Sequence, residues 1–87
     1  MDLNLKTHKI TLINDSELSF EYIIACLIRF CDHSLEQAEQ CALITHNKGR
    51  CDIISGEFFE MFNIKSRFDE LGINSEIEEY AGSMHKR

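Results

Sequence analysis

The chain has no proline and only four glycines in its 87 residues. With both breakers scarce, no loop-rich linker divides it, and neither a low-complexity run nor an internal repeat does so. The length makes one domain with a single modest core. Cations are also few: nine Lys and Arg stand against fifteen Asp and Glu, a net charge of −6. A nucleic-acid footprint needs clustered Lys and Arg. The groups present, Lys48 with Arg50 and His85 with Lys86 and Arg87, are too sparse, so no nucleic-acid partner is expected. The longest apolar stretch, around Tyr22 to Ile28, is far shorter than the roughly 20 residues that cross a bilayer, so no membrane partner is expected either. The N-terminus is polar and lacks the apolar segment of a secretory signal. Cys26, Cys31, Cys41 and Cys51 contain no Cys-x-x-Cys pair. Outside an oxidising compartment they read as buried free thiols, ahead of a zinc site built on Cys31 and His33. A cytoplasmic protein without metal or cofactor is the expectation.

What is present is ordinary globular chemistry: 44% of residues are hydrophobic. Residues 1–7 read as a short flexible N-terminus. His8 to Ile13 is rich in β-branched residues and reads as a strand. After a polar turn, Ser19 is a good N-cap. Phe20, Ile23, Ile24, Leu27, Ile28 and Cys31 then recur at the spacing of an amphipathic helix, which Asp32-His33 breaks. Ser34 and Gln37 form a capping-box pattern. They open a second helix in which Leu35, Ala38, Cys41, Ala42 and Thr45 share a face, closed by Gly49. Cys51 to Ile54 reads as a strand. Ser55 is then placed to cap a third helix over Glu57 to Leu71, with Phe58, Met61, Phe62, Ile64 and Phe68 as its apolar side. Ile73 to Tyr80 reads as the last strand, with Ile73, Ser75 and Ile77 on one face, and residues 81–87 as a flexible tail. The order βααβαβ over residues 8–80 predicts an α+β fold: a small two-layer sandwich, a three-stranded antiparallel sheet with three helices on one face.

Two polar signatures stand out, Asn14-Asp15 after the first strand and His46-Asn47-Lys48-Gly49-Arg50 at the end of the second helix. Each alone has a structural reading, as a turn former or as a favourable charge at a helix C-terminus. Antiparallel packing of the two helices brings Phe20 and Ile23 near Ala42, Thr45 and His46, beside Asn14. A primary ammonium offers three N–H donors and a charge. The Asn14 oxygen, Asp15 and a neutral His46 nitrogen are acceptors for it, and the apolar neighbours suit an adjacent side chain. The predicted ligand is a peptide N-terminus with a hydrophobic first residue. Catalysis by Cys41 or Cys51 with His46 lacks an orienting group and a glycine-rich oxyanion loop, so no catalytic residue is expected.

The runs Ile10-Thr11-Leu12-Ile13-Asn14-Asp15, Phe20-Glu21-Tyr22-Ile23, Ala38-Glu39-Gln40 and His46-Asn47-Lys48-Gly49-Arg50 resemble the ClpS family, adaptors that deliver N-degron substrates to Clp ATP-dependent proteases. The likeness spans roughly His8 to Ile77, without gaps from Ile10 to Arg50. It implies a non-enzymatic, monomeric adaptor that binds a hydrophobic N-terminal residue and hands the chain to a Clp AAA+ unfoldase. By this resemblance Asn14 and His46 match the α-amino contacts, and Asp15 the first acid of an Asp-Asp pair. Phe20, Ile23, Ala42, Thr45 and Ile73 match the hydrophobic pocket, and Glu57 matches a chaperone-docking position.

The departures from the family pattern Asn-Asp-Asp-Tyr-Thr-x-Met-x-Phe-Val concern the same loop. Ser16 replaces the second acid, and losing one charge-assisted contact costs about 1–3 kcal/mol. Glu17 and Leu18 stand where an aromatic and a threonine are usual. Phe20 and Ala42 replace two methionines, a bulkier rim and a roomier floor that imply an altered side-chain preference. Phe62 falls where a docking lysine is usual, and the chain begins almost at the first strand, where the family carries a longer extension used in delivery. A second reading is therefore a module of this fold that docks on a Clp ATPase or another protein without reading N-termini.

Overall fold

Six elements make up the computed structural model, which describes residues 6–79. They are β1 (His8–Ile13), α1 (Phe20–Cys31), α2 (Leu35–Lys48), β2 (Arg50–Gly56), α3 (Phe58–Glu70) and β3 (Ser75–Glu79). This is the βααβαβ order read from the sequence. β1 lies in the middle of a three-stranded sheet of order β2-β1-β3, paired antiparallel on both sides. The core fills the space between sheet and helices: Ile10 and Leu12 of β1 meet Leu27 of α1, Ala38 of α2, and Met61 and Phe68 of α3, all buried. Each large apolar side chain removed from water contributes about 1.5–3 kcal/mol.

Local chemistry sets most helix ends. Ser19 accepts a hydrogen bond from the Tyr22 N–H at 3.1 Å and starts α1. Asp32 ends that helix in a left-handed conformation, φ 58°, which short polar side chains tolerate. Ser34 caps α2 through the Gln37 N–H, 3.1 Å away. Gly49 closes α2 at φ 95°, with its N–H donating to the Thr45 carbonyl at 2.8 Å.

The β1–β2 ladder contains a bulge. Ile10 pairs with Ile54 and Thr11 with Asp52, so Ile53 has no partner in β1. Both Ile53 and Ile54 pack on the core as a result.

Several boundaries and faces differ from the sequence reading. Ser55 does not cap α3; it belongs to β2 and pairs with Lys9. The cap is Glu57, whose Oε1 accepts the Phe59 N–H at 2.9 Å. α3 buries Met61 and Phe68, but Phe58 and Phe62 are exposed and stack on each other with ring centroids 5.8 Å apart. Those two positions lie roughly a sixth to a third of a turn around the helix from the buried stripe. Leu35 and Ile28 also face outward rather than onto the core. β3 begins at Ser75 because the Ile73 N–H donates to the Phe68 carbonyl at 2.9 Å, closing the turn after α3. Tyr80, placed in that strand, and the 81–87 tail lie outside the described residues, as do the first five residues of the N-terminal segment.

Candidate functional site

The turn from β1 into α1 is tied down on two sides. The Ile13 N–H donates to the Asn74 carbonyl and the Asn14 N–H to the Gly49 carbonyl, both at 2.9 Å. Asn14 is thereby fixed to the residue that ends α2, three positions after His46. Asp15 then closes a turn of its own. Its Oδ1 accepts the Glu17 N–H at 3.0 Å and its carbonyl accepts the Leu18 N–H at 3.2 Å. With Ser19 as the next residue and the cap of α1, Phe20 is placed on the first helical turn.

Phe20 meets His46 edge-on, with ring centroids 5.5 Å apart and planes at 78°. The antiparallel packing read from the sequence is realised at this contact. Beneath it lies a cavity of about 30 Å³. Asn14 and Asp15 border it, Phe20 and Ile23 line it from α1, and Ala42 and Thr45 line it from α2. Thr45 spends its hydroxyl on the Cys41 carbonyl, 2.7 Å away within the helix.

Six of the candidate residues are thus brought to one cavity. His46 touches it only through Phe20 and is itself exposed. Ser16 is exposed in the turn and does not border the cavity. Ile73, read as a pocket wall, is 3% exposed within the hydrophobic core and does not line the cavity. Its position is set by the turn after α3, which drives the side chain under the sheet. Glu57 lies elsewhere, at the start of α3; its neighbour Phe58 packs against His8, at the other end of β1 from Asn14. Sequence reasoning did not place Leu12, Ile13 and Leu18 in the lining. Leu18 left a signal, as the one aliphatic residue in an otherwise polar turn.

The thiols bear on what chemistry is available. Burial pushes Cys31 up to about 12, with Cys41 and Cys26 adding to the rise. Cys51 is likewise pushed up to about 12, first by burial and then by the Cys41 thiol beside it. Groups held so high stay protonated near neutral pH and are poor nucleophiles and poor ligands. Among the described residues no cluster of three or more His, Cys, Asp or Glu is placed to hold a metal ion. No described helix is long and apolar enough to cross a membrane.

Element order, sheet order and the cleft between the β1–α1 turn and the end of α2 define a small α+β domain of the ClpS type. The sequence model of the family described as ATP-dependent Clp protease adaptor protein ClpS matches residues 4–70, and the chain belongs to that family. Among solved structures it is similar to Agrobacterium tumefaciens ClpS2 bound to L-phenylalaninamide, with a TM-score of 0.72 and 17% identity. The match covers 86% of this chain and 98% of the other; at that identity what the two share is the fold. No curated protein sequence matches this chain.

Proposed function

We infer that the protein is a cytoplasmic, non-enzymatic adaptor that binds the free α-amino group and hydrophobic first side chain of N-degron substrates and passes them to a Clp AAA+ protease. The observation that carries this reading is the junction of Asn14 and Asp15 with an apolar cavity, capped by the Phe20–His46 contact. The ammonium sits at the rim. The Asn14 oxygen and the free Asp15 oxygen accept two of its protons, and His46 accepts a third as Phe20 yields. Ser16 adds a hydroxyl to the same turn, without the charge of an acid. The first side chain enters between Phe20, Ile23, Ala42 and Thr45. The phenylalaninamide held by the Agrobacterium relative, a free amine beside an aromatic side chain, supports this class of ligand.

Handover is supported separately, at the other end of β1. Phe58, Phe59 and Phe62 are 39%, 70% and 50% exposed and share ring contacts beside Glu57. An exposed apolar patch on a small protein marks an interaction surface, and here it is assigned to docking on the unfoldase by a monomeric adaptor.

The test is a titration with peptides that differ in an apolar first residue, each free and N-acetylated. At least one free peptide binds, and acetylation weakens it by roughly tenfold or more, the worth of a charged hydrogen bond. His46→Ala weakens the same peptide without lowering the melting temperature, since an exposed ring contributes little to the core. Equal affinity for free and acetylated peptides refutes the reading and leaves a docking module that does not read N-termini.

A further inference from the structure

The four thiols are neighbours in a series that crosses three elements. Cys26 and Cys31 of α1 are buried, Cys31 lies near Cys41 of α2, and Cys41 lies beside Cys51 of β2. Only Cys41 and Cys51 are partly exposed, so an oxidant dissolved in water meets these two first.

Register and helical spacing bring that pair together. Cys51 stands opposite Leu12 in the β1–β2 ladder. Opposed residues share a face of the sheet, and Leu12 is buried in the core, so Cys51 faces the helices. Cys41 follows Ala38 by three positions and precedes Thr45 by four, both buried, which sets the three on one stripe of α2. Cys41 packs on the core, and α2 packs on β2. Gly49 alone separates those two elements, so the chain reverses at once and lays β2 against the helix it has just left.

We propose that Cys41 and Cys51 form an oxidation site, a dithiol that peroxide closes into a disulfide pinning the last turns of α2 to β2. Burial holds the Cys51 thiol protonated, and its S–H is directed at the Asp52 carbonyl 3.5 Å away. Cys41 is therefore the sulfur that attacks. It breaks the O–O bond of hydrogen peroxide and becomes a sulfenic acid, while the leaving oxygen takes the Cys41 proton and departs as water. The Cys51 sulfur then forms the S–S bond, and the displaced hydroxyl takes the Cys51 proton as a second water. The two thiols lose two electrons and the peroxide gains them. A dithiol reductant reverses the bond. Disulfides of reducing compartments are mostly of this kind, transient and sensitive to oxidant.

The closed loop, residues 41–51, holds Ala42, Thr45, His46 and Gly49. The Cys41 carbonyl accepts the Thr45 hydroxyl at 2.7 Å, and the Thr45 carbonyl accepts the Gly49 N–H at 2.8 Å. The Gly49 carbonyl in turn accepts the Asn14 N–H at 2.9 Å. The disulfide thus restrains the helix end to which the β1–α1 turn is tied. It does so whether or not the cleft binds an amine.

The test treats the folded protein with hydrogen peroxide, blocks the remaining thiols with N-ethylmaleimide in denaturant, and maps the tryptic peptides by mass. Cleavage after Lys48 and Arg50 separates the two cysteines, so the bond shows as peptide 30–48 joined to peptide 51–65. Dithiothreitol parts them. Cys41→Ser and Cys51→Ser each abolish the joined pair, Cys31→Ser retains it, and Cys51→Ser serves alone if Cys41→Ser does not fold. Amide hydrogen exchange over residues 45–49 is slower in the oxidised protein than in the reduced one. All four thiols still blocked, Cys41 carried on to sulfinic acid, or a bond made through Cys31 or between two chains overturns the pairing. A joined pair with exchange over 45–49 unchanged overturns the pinning.

Discussion

His33 occupies the short link between α1 and α2, 5% exposed, and its Nε2 lies 2.7 Å from the carbonyl of Ile53. A carbonyl only accepts, so the proton of this bond is on Nε2. Ile53 is the bulge residue, unpaired in β1, and the imidazole supplies the donor that the ladder does not. The ring thereby adds a polar tie between the α1–α2 link and β2 to the apolar packing of Ile53 against the helices. Replacing His33 by Ala orphans a buried carbonyl and opens a void, an expected loss of about 2–4 kcal/mol by urea unfolding. His33→Gln recovers part of it by restoring a donor. A loss in His33→Ala no larger than that of an exposed-site change, about 0.5 kcal/mol, removes the assigned role. From sequence this residue was visible only as a helix breaker and as a zinc ligand beside Cys31, the lesser of two readings. Its contact reaches across 20 positions to a bulge, and bulges arise from the register of two strands, which neither strand states alone.

Elements whose ends are fixed by their own residues were the legible ones. Ser19, Ser34 and Gly49 cap α1 and α2 as the sequence indicates, because each cap is decided within four residues. α3 was read less well: pairing with Lys9 draws Ser55 into β2, and the faces of Phe58 and Phe62 depend on what packs beside them. The site divides in the same way. Asn14 and Asp15 in a polar turn, and Phe20, Ile23, Ala42 and Thr45 on helical stripes, were legible in sequence and reach one cavity. Ile73 is drawn into the core by the turn that closes on the Phe68 carbonyl and does not. Gly49 joins both levels, since it ends α2 and its carbonyl receives the Asn14 N–H. A Cβ added there meets nothing within 4 Å, but φ is +95°. Gly49→Ala is therefore strained without a clash, and loses about 1–2 kcal/mol in urea unfolding. Gly49→Asn loses less, because Asn tolerates the left-handed region. An alanine variant as stable as wild type refutes the strain argument.

Taken whole, the molecule carries an excess of acid, net charge −6, and ties part of it across the sheet. Lys9 of β1 pairs with Asp52 of β2 at 2.9 Å, and Arg50 of β2 reaches past β1 to Glu78 and Glu76 of β3 at 2.7 and 3.4 Å. The Thr11 hydroxyl also donates to Asp52, at 3.0 Å. Burial alone pushes the Asp52 carboxyl up. Hydrogen bonds from Lys9 and Thr11, with the charges of Lys9 and Arg50, outweigh it and hold the group below the usual carboxylate range. An unfolded Asp titrates near 3.9, so a lowered folded value favours the native state at every pH above that. The advantage is lost as pH falls from about 4 through the folded value. Because the Asp52 side chain is 57% exposed, solvent screens the pair and the contribution stays below about 1 kcal/mol. Urea midpoints at about pH 7 and about pH 3 therefore fall further for the wild type than for Asp52→Asn, which has no charge to lose. The gap between the two narrows at about 1 M salt, where the Debye length is near 3 Å. Parallel losses in the two proteins place the acid sensitivity of the fold in carboxylates other than Asp52.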